Sequence, residues 1–203
     1  NISFMKKVIT HIDCPKEWGS ENDWDSHRPL LYLACENSYA GIVEFGSGDG
    51  STELLRKFCK ISYRDGFSFD NNKFWCEKTK SRYVEDYMGV DISGEIGLMF
   101  IDAAPAEIRK LLISKYKDIP VMVIHDTEPG AEYVYGMNEV LSSFKYRLDY
   151  QPEGKPHTTA VSNYIDVTSW DYIILYICIT VSLIMTKNYN FLTPRTIASH
   201  LTW

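Results

Sequence analysis

Several broad classes are set aside by what this sequence lacks. Five cysteines, Cys14, Cys35, Cys59, Cys76 and Cys178, are scattered through 203 residues, and no two form a Cys-x-x-Cys pair. Neither a disulfide framework nor a zinc knuckle is indicated, and free thiols in a reducing cytoplasm are expected. There is no basic excess: 21 Lys and Arg stand against 27 Asp and Glu, a formal net charge of −6. The electrostatic footprint of a phosphate-backbone binder is missing, so nucleic acid is not the expected partner. No apolar run reaches the roughly 18 to 20 residues that span a bilayer. The run 172–185 has 14 residues broken only by Thr180 and Ser182. It reads as a buried strand or helix rather than a membrane span, or, if exposed, as a surface for homo-oligomer formation. The opening Asn1-Ile-Ser-Phe-Met-Lys-Lys7 has no apolar core of signal-peptide length.

What remains is ordinary for a folded domain: 45% hydrophobic and 24% charged residues, in a chain long enough to bury its own core. The periodicity alternates. Residues 40–45, 66–69, 97–101 and 119–124 are short apolar runs of strand length. Helical patterns over 26–36, 51–60, 71–82, 106–116 and 133–144 follow or separate them. Two extended runs, 145–150 and 158–166, flank a Pro-Glu-Gly-Lys-Pro turn and predict an antiparallel hairpin at a sheet edge. The expected architecture is a Rossmann-like three-layer αβα sandwich around a mostly parallel seven-stranded sheet with that C-terminal hairpin. The chain divides into three regions: a polar, Trp-punctuated segment 1–25 as a lid or substrate segment, the main domain 26–170, and an atypical apolar tail 171–203.

Chemistry concentrates at strand ends. The strand 40–45 runs into Glu44-Phe-Gly-Ser-Gly-Asp-Gly-Ser51, where glycines allow a sharp turn and close approach of a ligand, and the next helix offers unpaired N–H groups. Asp70 closes the following strand 20 residues after Gly50, a spacing at which a carboxylate can accept from ribose hydroxyls. A dinucleotide site wants Gly or Ala where this chain has Thr52, and Asp49 and Glu53 are poor neighbours for a pyrophosphate.

The pattern of an acid ahead of spaced glycines, Glu44-x-Gly46-x-Gly48-x-Gly50, resembles the first motif of class I S-adenosylmethionine-dependent methyltransferases. The stretches Ser26-His-Arg-Pro-Leu-Leu-Tyr-Leu33, Phe67-Ser-Phe-Asp-Asn-Asn-Lys73, Phe100-Ile-Asp-Ala-Ala-Pro105, Val123-Ile-His-Asp-Thr-Glu128 and Val161-Ser-Asn-Tyr-Ile-Asp-Val167 extend the resemblance to a subgroup of small bacterial methyltransferases over about residues 24–170. The tail from Asp171 departs from it, since such domains stop after the hairpin. The resemblance implies S-adenosylmethionine bound by Glu44, Gly46, Ser47, Gly48, Gly50, Ser51 and Asp70, with Asp86 in the loop bordering the adenine. It implies methyl transfer to a small-molecule oxygen or nitrogen acceptor. The alternatives are another Rossmann-type nucleotide-binding enzyme, or a catalytically degenerate binding or assembly module.

Asp102 and His125-Asp126 close adjacent central strands, at the edge where open α/β sheets bind ligands. Three readings stand side by side. Asp102 and Asp126 hold Mg²⁺, as in metal-dependent O-methyltransferases; or His125 is a general base with the acids as electrostatic helpers; or Asp126 and Thr127 cap a helix while Asp102 ties down a loop. His27 and Arg28 either cap the first long helix or reach over the site. Trp18, Trp24 and Trp75 pack in the core or a lid, or stack on a ligand ring; His157 reads as a turn residue.

Overall fold

The structure, a computed structural model, describes residues 4–170 apart from Asn22 and Ser93. The expected tail 171–203, and any oligomer contact through it, lies outside the described residues. Chain contacts divide the protein into two units, Asn1–Thr168 and Ser169–Trp203. The sheet belongs to the first.

Eight strands form one sheet: β1 Met5–Ile9, β2 Gly41–Phe45, β3 Gly66–Asp70, β4 Arg82–Tyr83, β5 Ile96–Ile101, β6 Val121–His125, β7 Tyr146–Tyr150 and β8 Thr158–Ser162. Their spatial order is β1-β7-β8-β6-β5-β2-β3-β4. All neighbours pair in parallel except β8, which is antiparallel to both β6 and β7. The fold is therefore the Rossmann-like sandwich, with the antiparallel hairpin in place. The eighth strand is a correction: residues 5–9, expected within a polar lead-in, extend the sheet beyond β7. Its alternation is weak because it is an outer edge; Met5 and Val8 are exposed, and Lys6 reaches the buried Asp149 at 3.0 Å. Lysines on an edge discourage pairing with another chain.

The central strands explain their own composition. β2, β5 and β6 are buried almost end to end, because helices cover both faces of a parallel sheet. The helices are α1 Arg28–Glu36, α2 Thr52–Ser62, α3 Lys73–Thr79, α4 Ile108–Lys115, α5 Glu132–Tyr135 and α6 Asn138–Leu141. In α2 the apolar stripe is Leu55, Phe58 and Cys59, and the lysines 57 and 60 face water. The helix expected over 133–144 is two short ones, because Gly136 takes a left-handed φ of 58° and ends α5. The helix expected over 71–82 ends early at left-handed Lys80, which frees Arg82 and Tyr83 for β4.

The strand order reverses between β2 and β5, so the crevice at their carboxyl ends is the switch point where ligands bind in open α/β sheets. The chain leaves β2 at Gly46, with φ +88°; a Cβ there would lie 2.3 Å from the Asp102 carbonyl oxygen beyond β5. Gly48 has nothing within 4 Å of a Cβ position and no left-handed φ. Gly46→Ala is therefore expected to cost more than about 2 kcal/mol in urea unfolding. Gly48→Ala is expected to stay within about 1 kcal/mol of wild type; equal effects would refute this assignment of the two glycines.

Candidate functional site

The Gly-rich turn is held by its neighbours. Gly46 N–H donates to Phe69 O at 2.9 Å, and Gly48 N–H donates to Thr52 Oγ1 at 3.0 Å. Asp70 Oδ2 accepts from the Ser47 backbone N–H at 2.7 Å and from its hydroxyl at 3.1 Å. Asp70 Oδ1 accepts from Asn72 N–H at 2.7 Å. The carboxylate expected to reach outward thus spends most of its acceptor capacity fixing the turn, and it is 5% exposed.

Glu44 lies beneath the turn, fully buried. Its Oε1 accepts from the Ser51 hydroxyl, while Oε2 has no partner. Burial pushes its pKa up to about 7, against the lowering effect of the surrounding hydroxyls, Ser51 first.

An open cavity of about 670 Å³ lies above the turn. Ser47, Gly48, Asp49, Gly50 and Ser51 form one wall, and Trp24, Asp25, His27, Arg28, Trp75 and Asp102 form the rest with Glu21. Of the residues expected to bind a cofactor, Ser47, Gly48, Gly50 and Ser51 line this space, while Glu44, Gly46 and Asp70 stand behind it as supports. Asp86 is not brought there: its carboxylate caps a short 3₁₀ turn, accepting from Met88 N–H at 2.8 Å.

A second cavity, about 440 Å³, adjoins the first, sharing Trp24 and Asp102. Its other walls are Asp23, Arg109, His125, Asp126, Tyr135 and Pro156. Both volumes fall in the range of small-molecule sites.

At the centre is Arg109, on the buried face of α4 with Leu112 and Ile113. Its Nε donates to Ala103 O at 2.9 Å and its Nη1 to His125 O at 2.9 Å. Nη1 also meets Asp126 Oδ2 at 3.1 Å, and Nη2 meets Asp102 Oδ1 at 2.7 Å. Tyr135 lies under the guanidinium at 4.3 Å and donates its hydroxyl to Asp126 Oδ2 at 3.2 Å. The sequence motifs do not single out Arg109. The available signal is its place about one helical turn before Leu112 and Ile113, which puts a cation on an apolar helix face.

All three readings of Asp102, His125 and Asp126 change with this geometry. A hard cation between Asp102 and Asp126 does not fit, because one guanidinium already bridges them. Displacing it would leave a buried arginine charge unpaired. Nor does Asp126 cap a helix: it sits at a left-handed φ of 55°, and the next helix begins only at Glu132.

His125 is specified through Ser26. The Ser26 hydroxyl donates to Pro156 O at 3.0 Å, so the contact of Ser26 Oγ with His125 Nε2 at 3.1 Å is one in which the ring N–H donates. Nδ1 then faces Asp102 Oδ2 at 3.4 Å and Asp126 Oδ1 at 3.5 Å. Burial lowers the His125 pKa, but the hydrogen bond and charge of Asp102 outweigh it and the net shift is upward. With Nε2–H committed to Ser26 and Nδ1 directed at the carboxylates of Asp102 and Asp126, neither ring nitrogen is left facing a methyl acceptor, so the general-base reading of His125 loses its geometric basis. Asp102 is shifted the other way: burial raises its pKa, and His125 and Arg109 bring it below the ordinary value.

His27, expected as a cap or a mouth residue, is in the site. It is 2% exposed, packs edge-on to His125 at 4.7 Å between ring centroids, and has no partner on either ring nitrogen. Burial, then the neighbouring His125 charge, lowers its pKa to about 3, so it is a neutral imidazole. Arg28 is drawn away to Asp25 Oδ2 at 3.1 Å and to the Glu17 carbonyl. This ties the segment before α1 down beside the cavity. Trp24 and Trp75 line the cavity, whereas Trp18 is core, packed on Tyr32 and Phe58. Among the described residues no helix is long and apolar enough to cross a membrane.

Comparison with known protein families and with curated proteins found no match. Among solved structures the chain is similar to the "METTL16 MTase domain (crystal form 2)", at a TM-score of 0.45 and 8% identity, over 77% of this chain and 74% of that one. The likeness is too distant to carry an argument about this chain.

Between pH 4.5 and about 7 the folded protein holds a proton on Glu44 that the unfolded chain has released. Stability from this group is therefore lost as pH rises through that window. Glu44→Gln, which keeps an acceptor for Ser51, should match wild type near pH 4.5. It should gain on it up to pH 7.5, by on the order of 3 kcal/mol. Denaturant melts across pH check this; a pH-independent difference would contradict it.

Proposed function

We propose that the protein is an S-adenosylmethionine-dependent methyltransferase whose acceptor is an oxygen or nitrogen of a small molecule. The observation that carries this is the junction of two cavities at Asp102, one walled by the Gly-rich turn and the other by Arg109 and His125. The first fits the cofactor. Gly48 leaves open space where a side chain would stand, and Glu21, Asp25, Asp49 and Asp102 outnumber Arg28 in the lining, an acidic balance that favours a positively charged ligand. When bound, S-adenosylmethionine supplies an electrophilic sulfonium methyl group.

The chain's own part is chiefly positioning. The turn, Glu21 and the segment 24–28 wall the donor side. The smaller cavity holds the acceptor so that its nucleophilic atom points across Asp102 toward the larger one, in line for displacement. The His125–Asp102 pair and the Arg109 clamp keep the charges of this wall fixed while the methyl group moves. The expected localisation is cytoplasmic, in keeping with the free thiols Cys35, Cys59 and Cys76.

Isothermal titration with S-adenosylhomocysteine tests the reading. Wild type should bind at micromolar concentration, and Gly48→Leu, which fills the open face of the turn, should weaken binding at least tenfold with little change in melting temperature. No binding by folded wild type at high micromolar ligand, or undiminished binding by Gly48→Leu, would overturn it.

A further inference from the structure

We propose that His27, Asp102 and His125 form a binding site for a borderline divalent transition metal such as Zn²⁺. The three residues offer two imidazole nitrogens and one carboxylate oxygen, all within 4.8 Å of one another. That donor set suits zinc, iron or manganese, whereas Mg²⁺ prefers oxygen ligands and retained water. The site is distinct from a carboxylate pair holding Mg²⁺, which the Arg109 bridge disfavours.

Two independent features of the cluster call for a cation. The first is His27: a buried imidazole with neither nitrogen partnered is a costly arrangement unless something occupies the space it faces. The second is His125 Nδ1, set at 3.4 and 3.5 Å from oxygens of Asp102 and Asp126. These distances are long for a charge-assisted hydrogen bond, so Nδ1 is only loosely engaged by the two carboxylates.

The surroundings are those of a ligating histidine. The other nitrogen of His125 donates to Ser26 Oγ, and Ser26 in turn donates to Pro156 O, so the ring is oriented by an outer partner as metal-bound imidazoles are. Ligand atoms around a tetrahedral Zn²⁺ with bonds near 2.1 Å lie about 3.4 Å apart. The three atoms, all within 4.8 Å of one another, must therefore close by no more than about 1.4 Å. His27 and Asp102 border the larger cavity, and Asp102 and His125 the smaller, so a bound ion keeps open positions toward both. Binding requires a free lone pair on His125 Nδ1, so any proton there is released to solvent as the ion binds.

With Asp102, Asp126 and Arg109 summing to one negative charge, a doubly charged ion leaves one positive charge, and a deprotonated acceptor oxygen would balance it. A bound metal would lower the acceptor's pKa. This chemical role rests on the methyl-transfer reading; the site itself does not.

The proposal is tested by titrating chelator-treated full-length protein with Co²⁺ alone, read by visible ligand-field absorption and by calorimetry. S-adenosylhomocysteine binding is measured on the same samples, so that failure of the metal site and failure of the methyl-transfer reading are told apart. The expected result is one Co²⁺ per chain with four- or five-coordinate bands, competed by Zn²⁺ and not by Mg²⁺. Binding should weaken at least tenfold in His27→Ala and in Asp102→Asn. Ser26→Ala, which leaves all three ligating side chains in place, should weaken it 10- to 100-fold and keeps the test open should the other variants fail to fold. The exposed His11–Asp13 pair is the adventitious alternative. No stoichiometric Co²⁺ binding, undiminished binding in folded His27→Ala or Ser26→Ala, or loss of the signal in His11→Ala would overturn the proposal.

Discussion

One guanidinium holds the working edge of this protein together. Arg109 reaches from α4 to two backbone carbonyls and two carboxylates, and those four acceptors cluster where β5 and β6 end. The strands themselves are apolar runs that would bury wherever helices cover them. The loops beyond them are polar and need a partner inside the protein. A buried arginine is tolerated only when its donors are used, and removing one side of such a cluster typically costs about 3 to 5 kcal/mol. The same cation explains why Asp102 and Asp126 can stand close together.

Around that clamp the site is assembled from distant parts of the chain. β2 delivers the Gly-rich turn, and Gly46 brings it against the backbone beyond β5. β3 supplies Asp70, which fixes the turn from the other side. The segment before α1 brings Trp24, Asp25, Ser26 and His27, with Asp25 and Arg28 binding it down as a strap. The hairpin between β7 and β8 contributes Pro156, whose carbonyl orients Ser26 and through it His125. The result is a pair of adjoining cavities at the switch point of the sheet, with a buried, charged hinge between them.

Much of the fold is legible in the sequence because it rests on local signals. β2, β5 and β6 are continuous apolar runs closed by Gly46, Asp102 and His125, and α2 carries its stripe at helical spacing. β1 and β4 are not legible: a five-residue edge strand with lysines has no alternation to read, and a two-residue strand has no pattern at all. In the site, the glycines and the strand-end residues Asp102, His125 and Asp126 are found by motif and placement. Ser26 acquires its meaning only across the 99 residues that separate it from His125, and Arg109, though its partners lie 6 to 17 residues away, belongs to no motif; His27 is legible only as a residue that caps the first helix or reaches over the site. The outward role expected for Asp70 comes from spacing and from the resemblance, neither of which tells a carboxylate that meets a ligand from one that braces the turn.

Backbone hydrogen exchange, with and without S-adenosylhomocysteine, tests the central claim most directly, because it asks where the ligand sits without presuming a reaction. Residues 47–52 and 24–28, on opposite walls of the larger cavity, should exchange more slowly in the presence of ligand. β1, at the far edge of the sheet, should be unchanged. Protection absent from both walls under saturating ligand, or confined to a surface away from the β2–β5 crevice, would contradict the account.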